Sequence, residues 1–154
     1  MSDDLNELYG EMIMDHNHSP RNFRLMADAN HRAEGHNPLC GDRVTVYLKT
    51  EGDVIKDVSF QGSGCAISKS SASVMTTVLK GKTMTEARTL FDEFRKLITE
   101  GTGDAAHLGK LATFSGVHKF PARVKCAILA WHAVSSALEG HGGVVSTEID
   151  PPSL

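Results

Sequence analysis

Cysteine is scarce in this 154-residue chain: three residues, an odd number, none near another in sequence. Three dispersed thiols make no disulfide framework, and in a reducing compartment they stay as thiols. Long apolar runs are also missing. None approaches the roughly 20 residues a membrane-spanning helix needs, so no membrane association is expected. A basic excess is absent too: 16 Lys and Arg against 19 Asp and Glu leave a net charge of -3, which argues against nucleic acid as a partner. The opening Met1-Ser2-Asp3-Asp4 lacks the basic start of a signal peptide, and a cytoplasmic location is expected.

What is present is ordinary for a globular domain, with 40% hydrophobic and 23% charged residues, enough to bury a core without staples. The chain reads as one domain over residues 1–140 followed by a flexible C-terminal tail, 141–154.

Leu5, Leu8, Tyr9, Met12 and Ile13 recur at spacings of three and four, a helical stripe from Asp4 to His18 with Ser2 or Asp3 as N-cap. Asp15-His16-Asn17-His18 reads as its polar end. Val44, Val46 and Leu48 then alternate with polar residues, and Val54 to Phe60 resumes the extended pattern after the turn Glu51-Gly52-Asp53, an antiparallel hairpin. His31 to Asn37 is a third strand, and Gln61-Gly62-Ser63-Gly64 is read as breaking the second long one. Helices follow over Ala66–Leu79 and Thr83–Thr99, the latter with a Thr83/Glu86 capping box. A short helix with loop falls within Asp104–His118, and Pro121 opens a last helix carrying Val124, Ile128, Leu129 and Ala133. The sum is an α+β fold: a short antiparallel sheet of about three strands with helices on one face.

The thiols fall at element ends. Cys40 and Asp42, two apart in an extended segment, point to the same side. Cys65 follows Gly62-Ser63-Gly64 at a helix N-terminus, where the partial positive charge favours thiolate. Cys126 lies in the early turns of the last helix, among Lys119, Arg123 and Lys125, cations expected to lower its pKa. Two readings stand on these grounds. The cysteines are buried as small apolar residues, or three thiolates and one carboxylate gather as a tetrahedral set for Zn²⁺ or as ligands of a [2Fe–2S] cluster. The eight histidines read as surface or helix-face residues, and no Gly-Lys-Ser/Thr follows Gly62-Ser63-Gly64 to make it a phosphate loop.

Three stretches, Asn37-Pro38-Leu39-Cys40-Gly41-Asp42, Gly62-Ser63-Gly64-Cys65-Ala66-Ile67-Ser68 and Lys119-Phe120-Pro121-Ala122-Arg123-Val124-Lys125-Cys126-Ala127, together resemble the U-type iron–sulfur cluster assembly family. That family comprises IscU, SufU and the N-terminal part of NifU, and the likeness runs from about Leu5 to Leu138. It is most like the SufU type. Lys125 stands where IscU proteins carry a His, His118 to Val124 replaces their Leu-Pro-Pro-Val-Lys stretch, and Thr83–Phe114 accommodates the segment inserted in SufU proteins.

The resemblance implies the U-type scaffold fold and a zinc-dependent sulfur acceptor, a sulfurtransferase-type partner of a pyridoxal-phosphate cysteine desulfurase of the SufS type. Cys40 would take the persulfide sulfur. Cys40, Asp42, Cys65 and Cys126 would be the metal ligands, Arg123 and Lys125 would steady negative charge, and the sulfur would pass to a downstream cluster scaffold or apo-protein. Two alternatives use the same ligands: a scaffold that assembles and transfers a [2Fe–2S] cluster, and a structural zinc module used for docking.

Overall fold

A computed structural model describes residues 10–38, 41–102, 108–140 and 144–146, the last three as backbone. The described residues begin with helix α1 (Glu11–His18), then strands β1 (His31–Asn37), β2 (Asp42–Glu51) and β3 (Val54–Ser63). Helices α2 (Ala66–Leu79) and α3 (Met84–Glu100), a 3₁₀ segment (Gly109–Lys119), helix α4 (Pro121–Leu138) and a short strand β4 (Val144–Ser146) complete it. The expected helix from Asp4 to His18 is not continuous: α1 starts only at Glu11, with Gly10 in extended conformation as its N-cap. Ser2 and Asp3, expected as the cap, lie outside the described residues, as do most of residues 141–154. The α+β expectation holds.

The hairpin dictates the rest. β1, β2 and β3 pair antiparallel with Ala33 opposite Val46 and Val46 opposite Phe60, so one side carries a continuous apolar row. Along β2 the even-numbered positions Asp42, Val44, Val46, Leu48 and Thr50 are all buried. Along β1 the buried positions are Ala33, Gly35 and Asn37. That is the period-two alternation of a sheet with one covered face, and α4 covers β1 and β2 while α2 covers β3. The apolar rows therefore end at one margin in two polar residues, Asn37 and Asp42, which sit directly opposite each other.

The sheet has a fourth member. Val144–Ser146 pairs parallel with Glu34–His36, giving the order β3-β2-β1-β4. Three residues of the expected tail are thus strand, a pairing that follows from where α4 delivers the chain, not from local pattern. The expected break at Gln61–Gly64 is also displaced, because β3 runs on to Ser63. Gly62 serves close approach rather than interruption: a Cβ there would stand 2.1 Å from the Arg43 carbonyl oxygen across the ladder.

The outer margin of β3 is closed by other parts of the chain. The Ile55 N–H donates to the Lys82 carbonyl, the Phe60 N–H to the Asn22 carbonyl, and the Val58 N–H to the neighbouring Asp57 carboxylate.

Helix ends follow local chemistry. Thr83 Oγ1 accepts from the Glu86 N–H while Glu86 Oε1 accepts from the Thr83 N–H, so the expected capping box is present. Gly101 closes α3 in the left-handed conformation. Pro121 stands at the first turn of α4, where its missing N–H costs nothing. In the core Trp131 stacks on Phe94 at 4.8 Å between ring centres and donates its indole N–H to Ser71. The serines of α2 are not a solvent face: Ser68, Ser70, Ser71 and Ser73 are buried, and small side chains let α1 and α4 pack closely against this helix.

One expected polar helix end turns inward. His16 is 3% exposed, and its Nδ1 lies 2.6 Å from Ser73 Oγ, which also accepts the Arg21 N–H. Burial, more than the Arg21 charge, holds the His16 pKa below the ordinary 6.5. The unfolded chain then binds a proton that the folded chain refuses, so the contribution of this contact is complete above about pH 6.5 and declines as pH falls through the lower folded value. His16→Gln is expected to flatten the stability profile between pH 7.5 and 5, measured by urea denaturation at each pH. A His16→Gln profile as steep as that of the wild type would assign the slope to other groups.

Candidate metal centre

Three elements meet beyond the polar margin of the sheet. β2 contributes Asp42 at the end of its core-facing row, α2 contributes Cys65 at its N-cap, and α4 contributes Cys126 in its second turn. One carboxylate oxygen and the two sulfurs all lie within 4.8 Å of one another. Asp42 is 0% exposed and Cys126 1%, while Cys65 is half-buried and forms the accessible side.

Each side chain is held by its neighbours. Asp42 Oδ1 accepts the Cys65 backbone N–H at 3.0 Å, which ties the strand end to the start of α2. Cys65 Sγ accepts the Ser68 N–H at 3.4 Å, a sulfur doing the work a serine or aspartate oxygen does at other helix starts. Cys126 Sγ lies 3.6 Å from the Ala122 carbonyl one turn earlier. Asn37, buried at the end of β1, donates from Nδ2 to Asp42 Oδ2 at 3.4 Å and to Cys126 Sγ at 3.7 Å. Gly64 is bare of side chain because a Cβ would sit 2.6 Å from Asp42 Oδ1.

The two thiols are electrically unequal. A hydrogen bond from Cys126 is the largest influence on Cys65 and pulls its pKa from 9.0 to about 6, with the Ser68 and Ile67 amides helping and burial and Asp42 opposing. Cys126 moves the other way. Holding that bond to Cys65 keeps its proton on, and burial and the charges of Cys65 and Asp42 add to the effect. The expectation that Lys119, Arg123 and Lys125 lower the Cys126 pKa is corrected here: the dominant groups are a thiolate and a carboxylate, distant in sequence and of like sign to the thiolate it would become. Metal-free, the pair gives up one proton early and keeps the other.

Among the expected site residues, the fold therefore unites Asp42, Cys65 and Cys126. Cys40 lies outside the described residues, two positions before Asp42. Arg123 and Lys125 are half-buried on α4; Arg123, one turn before Cys126, shares its helix face, while Lys125 is rotated away. The residue missed by sequence reasoning is Asn37. Its signal was parity: it falls on the buried side of β1 once β1 is set against β2.

The donor set fits a tetrahedral metal. At the roughly 2.3 Å length of a zinc–sulfur bond, two thiolates on one tetrahedron stand about 3.8 Å apart. The spread of the three donors here is compatible with that, allowing small side-chain rotations.

The sequence over residues 8–139 matches the family model described as the NifU-like N terminal domain. The chain belongs to the U-type iron–sulfur cluster assembly family. Similar curated members include the zinc-dependent sulfurtransferase SufU of Bacillus subtilis, 39% identical over 140 residues, spanning 90% of this chain and 95% of that protein. The iron–sulfur cluster assembly scaffold protein IscU of Thermotoga maritima is 39% identical over 132 residues, 86% of this chain and 93% of its own length. Among solved structures, the N-terminal part of a NifU-like protein from Brucella abortus superposes with a TM-score of 0.83 at 25% identity, covering 90% of this chain and 96% of that one. A protein described as a scaffold for the SUF system of Fervidobacterium islandicum gives 0.81 at 37% identity, over 85% and 96%. The U-type fold expected from the three motifs is thus the fold observed. No described helix is long and apolar enough to cross a membrane.

Two measurements test the geometry. Gly64→Ala is expected to push Asp42 off the Cys65 N–H and weaken zinc binding by about 10-fold or more, at unchanged helical content by circular dichroism. Unaltered affinity in chelator competition would mean that the carboxylate has room the contact distances deny. In a metal-free Cys40→Ala background, the pH profile of Cys65 alkylation should have its midpoint near 6, and Cys126→Ala should move that midpoint up toward the ordinary thiol value by removing the S–H donor. A midpoint that stays put would show the helix amides to be the stronger influence.

Proposed function

We propose that this chain is a zinc-binding sulfur acceptor that takes persulfide sulfur from a cysteine desulfurase of the SufS type for iron–sulfur cluster assembly. The observation that carries the reading is the convergence of Asp42, Cys65 and Cys126 within 4.8 Å at the end of the sheet where the β1–β2 connection bears Cys40. Cys40 stands two residues from Asp42, and two peptide units span at most about 7.6 Å between Cα atoms. A fourth donor from that connection is therefore within reach. The similarity to a protein named a zinc-dependent sulfurtransferase supports the choice of metal and reaction.

Bound there, Zn²⁺ would keep the thiolates deprotonated without redox chemistry of its own. Asp42, Cys65 and Cys126 would be the standing ligands and Cys40 the exchangeable one. Three thiolates and a carboxylate leave such a site with a formal charge of about -2, which Arg123 and Lys125 would partly offset. In the transfer, the Cys40 thiolate attacks the outer sulfur of the desulfurase persulfide. The sulfur–sulfur bond on the donor breaks as the one on Cys40 forms, and the desulfurase cysteine leaves as thiolate. No electrons are gained or lost overall. A downstream scaffold or apo-protein then receives the sulfur in the same manner. Such a protein works from the cytoplasm and needs no nucleic acid or membrane.

A scaffold role is the second reading, supported by the identity to an IscU scaffold protein, which equals the identity to the SufU sulfurtransferase. There the same ligands would hold a [2Fe–2S] cluster as cargo. Lys125, where IscU proteins carry a His, removes one candidate ligand and leans toward zinc.

The deciding experiment measures desulfurase turnover with wild type and with Cys40→Ala. Stimulation should vanish with Cys40→Ala, and mass spectrometry should find a persulfide on Cys40 of the wild type alone. Full stimulation by Cys40→Ala would leave a structural zinc docking module instead. Protein purified without oxygen should carry about one zinc per chain; iron with acid-labile sulfide and no zinc would make the scaffold reading the right one.

A further inference from the structure

The geometry points to Asn37 as a positioning residue whose side-chain amide bridges Asp42 and Cys126 and holds both in the orientation that captures the metal. The inference rests on the metal reading above, but it concerns a residue outside the ligand set.

The placement is fixed by the sheet. Asn37 is the last residue of β1 and the register partner of Asp42, on the buried side with Ala33 and Gly35. It is 0% exposed. Nδ2 reaches Asp42 Oδ2 and Cys126 Sγ, so one amide nitrogen spends its two N–H groups on one hard and one soft donor of the candidate centre. With Cys65 N–H on Oδ1, both carboxylate oxygens are then oriented, and each retains a lone pair for a metal.

The other end of the amide marks the arrangement as functional. Among the described residues, Asn37 Oδ1 is buried with no hydrogen-bond partner. Buried amide oxygens are ordinarily satisfied, and leaving one bare is costly. Rotating the amide by half a turn would not relieve it, since that would aim the oxygen at the Asp42 carboxylate and leave Cys126 without its donor. The orientation is therefore set by the two ligands at the expense of the carbonyl. An asparagine present for stability alone has no reason to accept that exchange.

The test compares wild type with Asn37→Leu, of similar volume and without hydrogen bonds, and with Asn37→Asp, of the same shape with a donor replaced by an acceptor. Three quantities are read: zinc affinity by competition with a chromophoric chelator, the absorption bands of the Co²⁺-substituted protein, and the melting temperature of the metal-free chain. Zinc affinity should fall about 10- to 100-fold in Asn37→Leu, the loss typical of residues that orient ligands, and further in Asn37→Asp. The Co²⁺ bands should shift, because Asp42 and Cys126 are reoriented. The melting temperature of metal-free Asn37→Leu separates lost stability from lost ligand orientation, since Leu discards an unpaired acceptor but also leaves Asp42 Oδ2 without its donor. In an Asp42→Ala background the effect of Asn37→Leu should shrink. Zinc affinity within twofold of wild type together with an unchanged Co²⁺ spectrum overturns the inference, whatever the melting temperature does. Failure of the wild type itself to take up Zn²⁺ or Co²⁺ overturns the metal reading, and the role of Asn37 with it.

Discussion

A fully buried carboxylate is the constraint around which this end of the molecule is organised. Asp42 belongs to the core-facing row of β2 by strand parity and cannot turn to water without shifting the whole strand by one residue. Its oxygens must therefore find donors inside. They find the first N–H of the α2 cap and the amide of Asn37, which brings the helix start and the neighbouring strand to fixed positions around it. Gly64 has to be bare, Cys65 has to be the cap, and Cys126 arrives on α4 as the third wall. Like charges so close are uncomfortable, and the pair of thiols responds by retaining a proton. A divalent cation bound there would replace that proton and relieve the repulsion.

Much of this was legible locally. The hairpin, the Thr83/Glu86 box and the Pro121 start depend on residues a few positions apart, and periodicity or capping chemistry speaks for each. The convergence of Asp42, Cys65 and Cys126 was legible mainly through three short motifs, because single dispersed cysteines say little without knowing which ends of which elements meet. What stayed hidden was non-local. Gly62 was read as a break because glycine signals both interruption and close approach, and only the cross-strand partner Val44 tells them apart. His16 looked like part of a polar terminus until Ser73, 57 residues away, was seen to receive it. The direction of the Cys126 shift was misjudged from the cations beside it in sequence; the groups that decide it come from β2 and α2.

Membership of the U-type family fixes the architecture and the general process, while the difference between accepting sulfur and building a cluster lies in fine features of one site. Both modes need thiolates that are available yet protected. Cys65, held low in pKa at the rim, and Cys126, walled in beneath it, divide those two demands between them.

The outer margin of β3 has a consequence for how other proteins can meet this chain. Its outward N–H groups at Ile55, Val58 and Phe60 already serve Lys82, Asp57 and Asn22, and β4 occupies the site end of β1 on the opposite margin. A visiting extended segment would find the N–H groups of Ile55, Val58 and Phe60 on the β3 margin already engaged. Main-chain addition on the β3 margin would have to displace those contacts, so a partner meeting this margin would read side chains and loop shape instead.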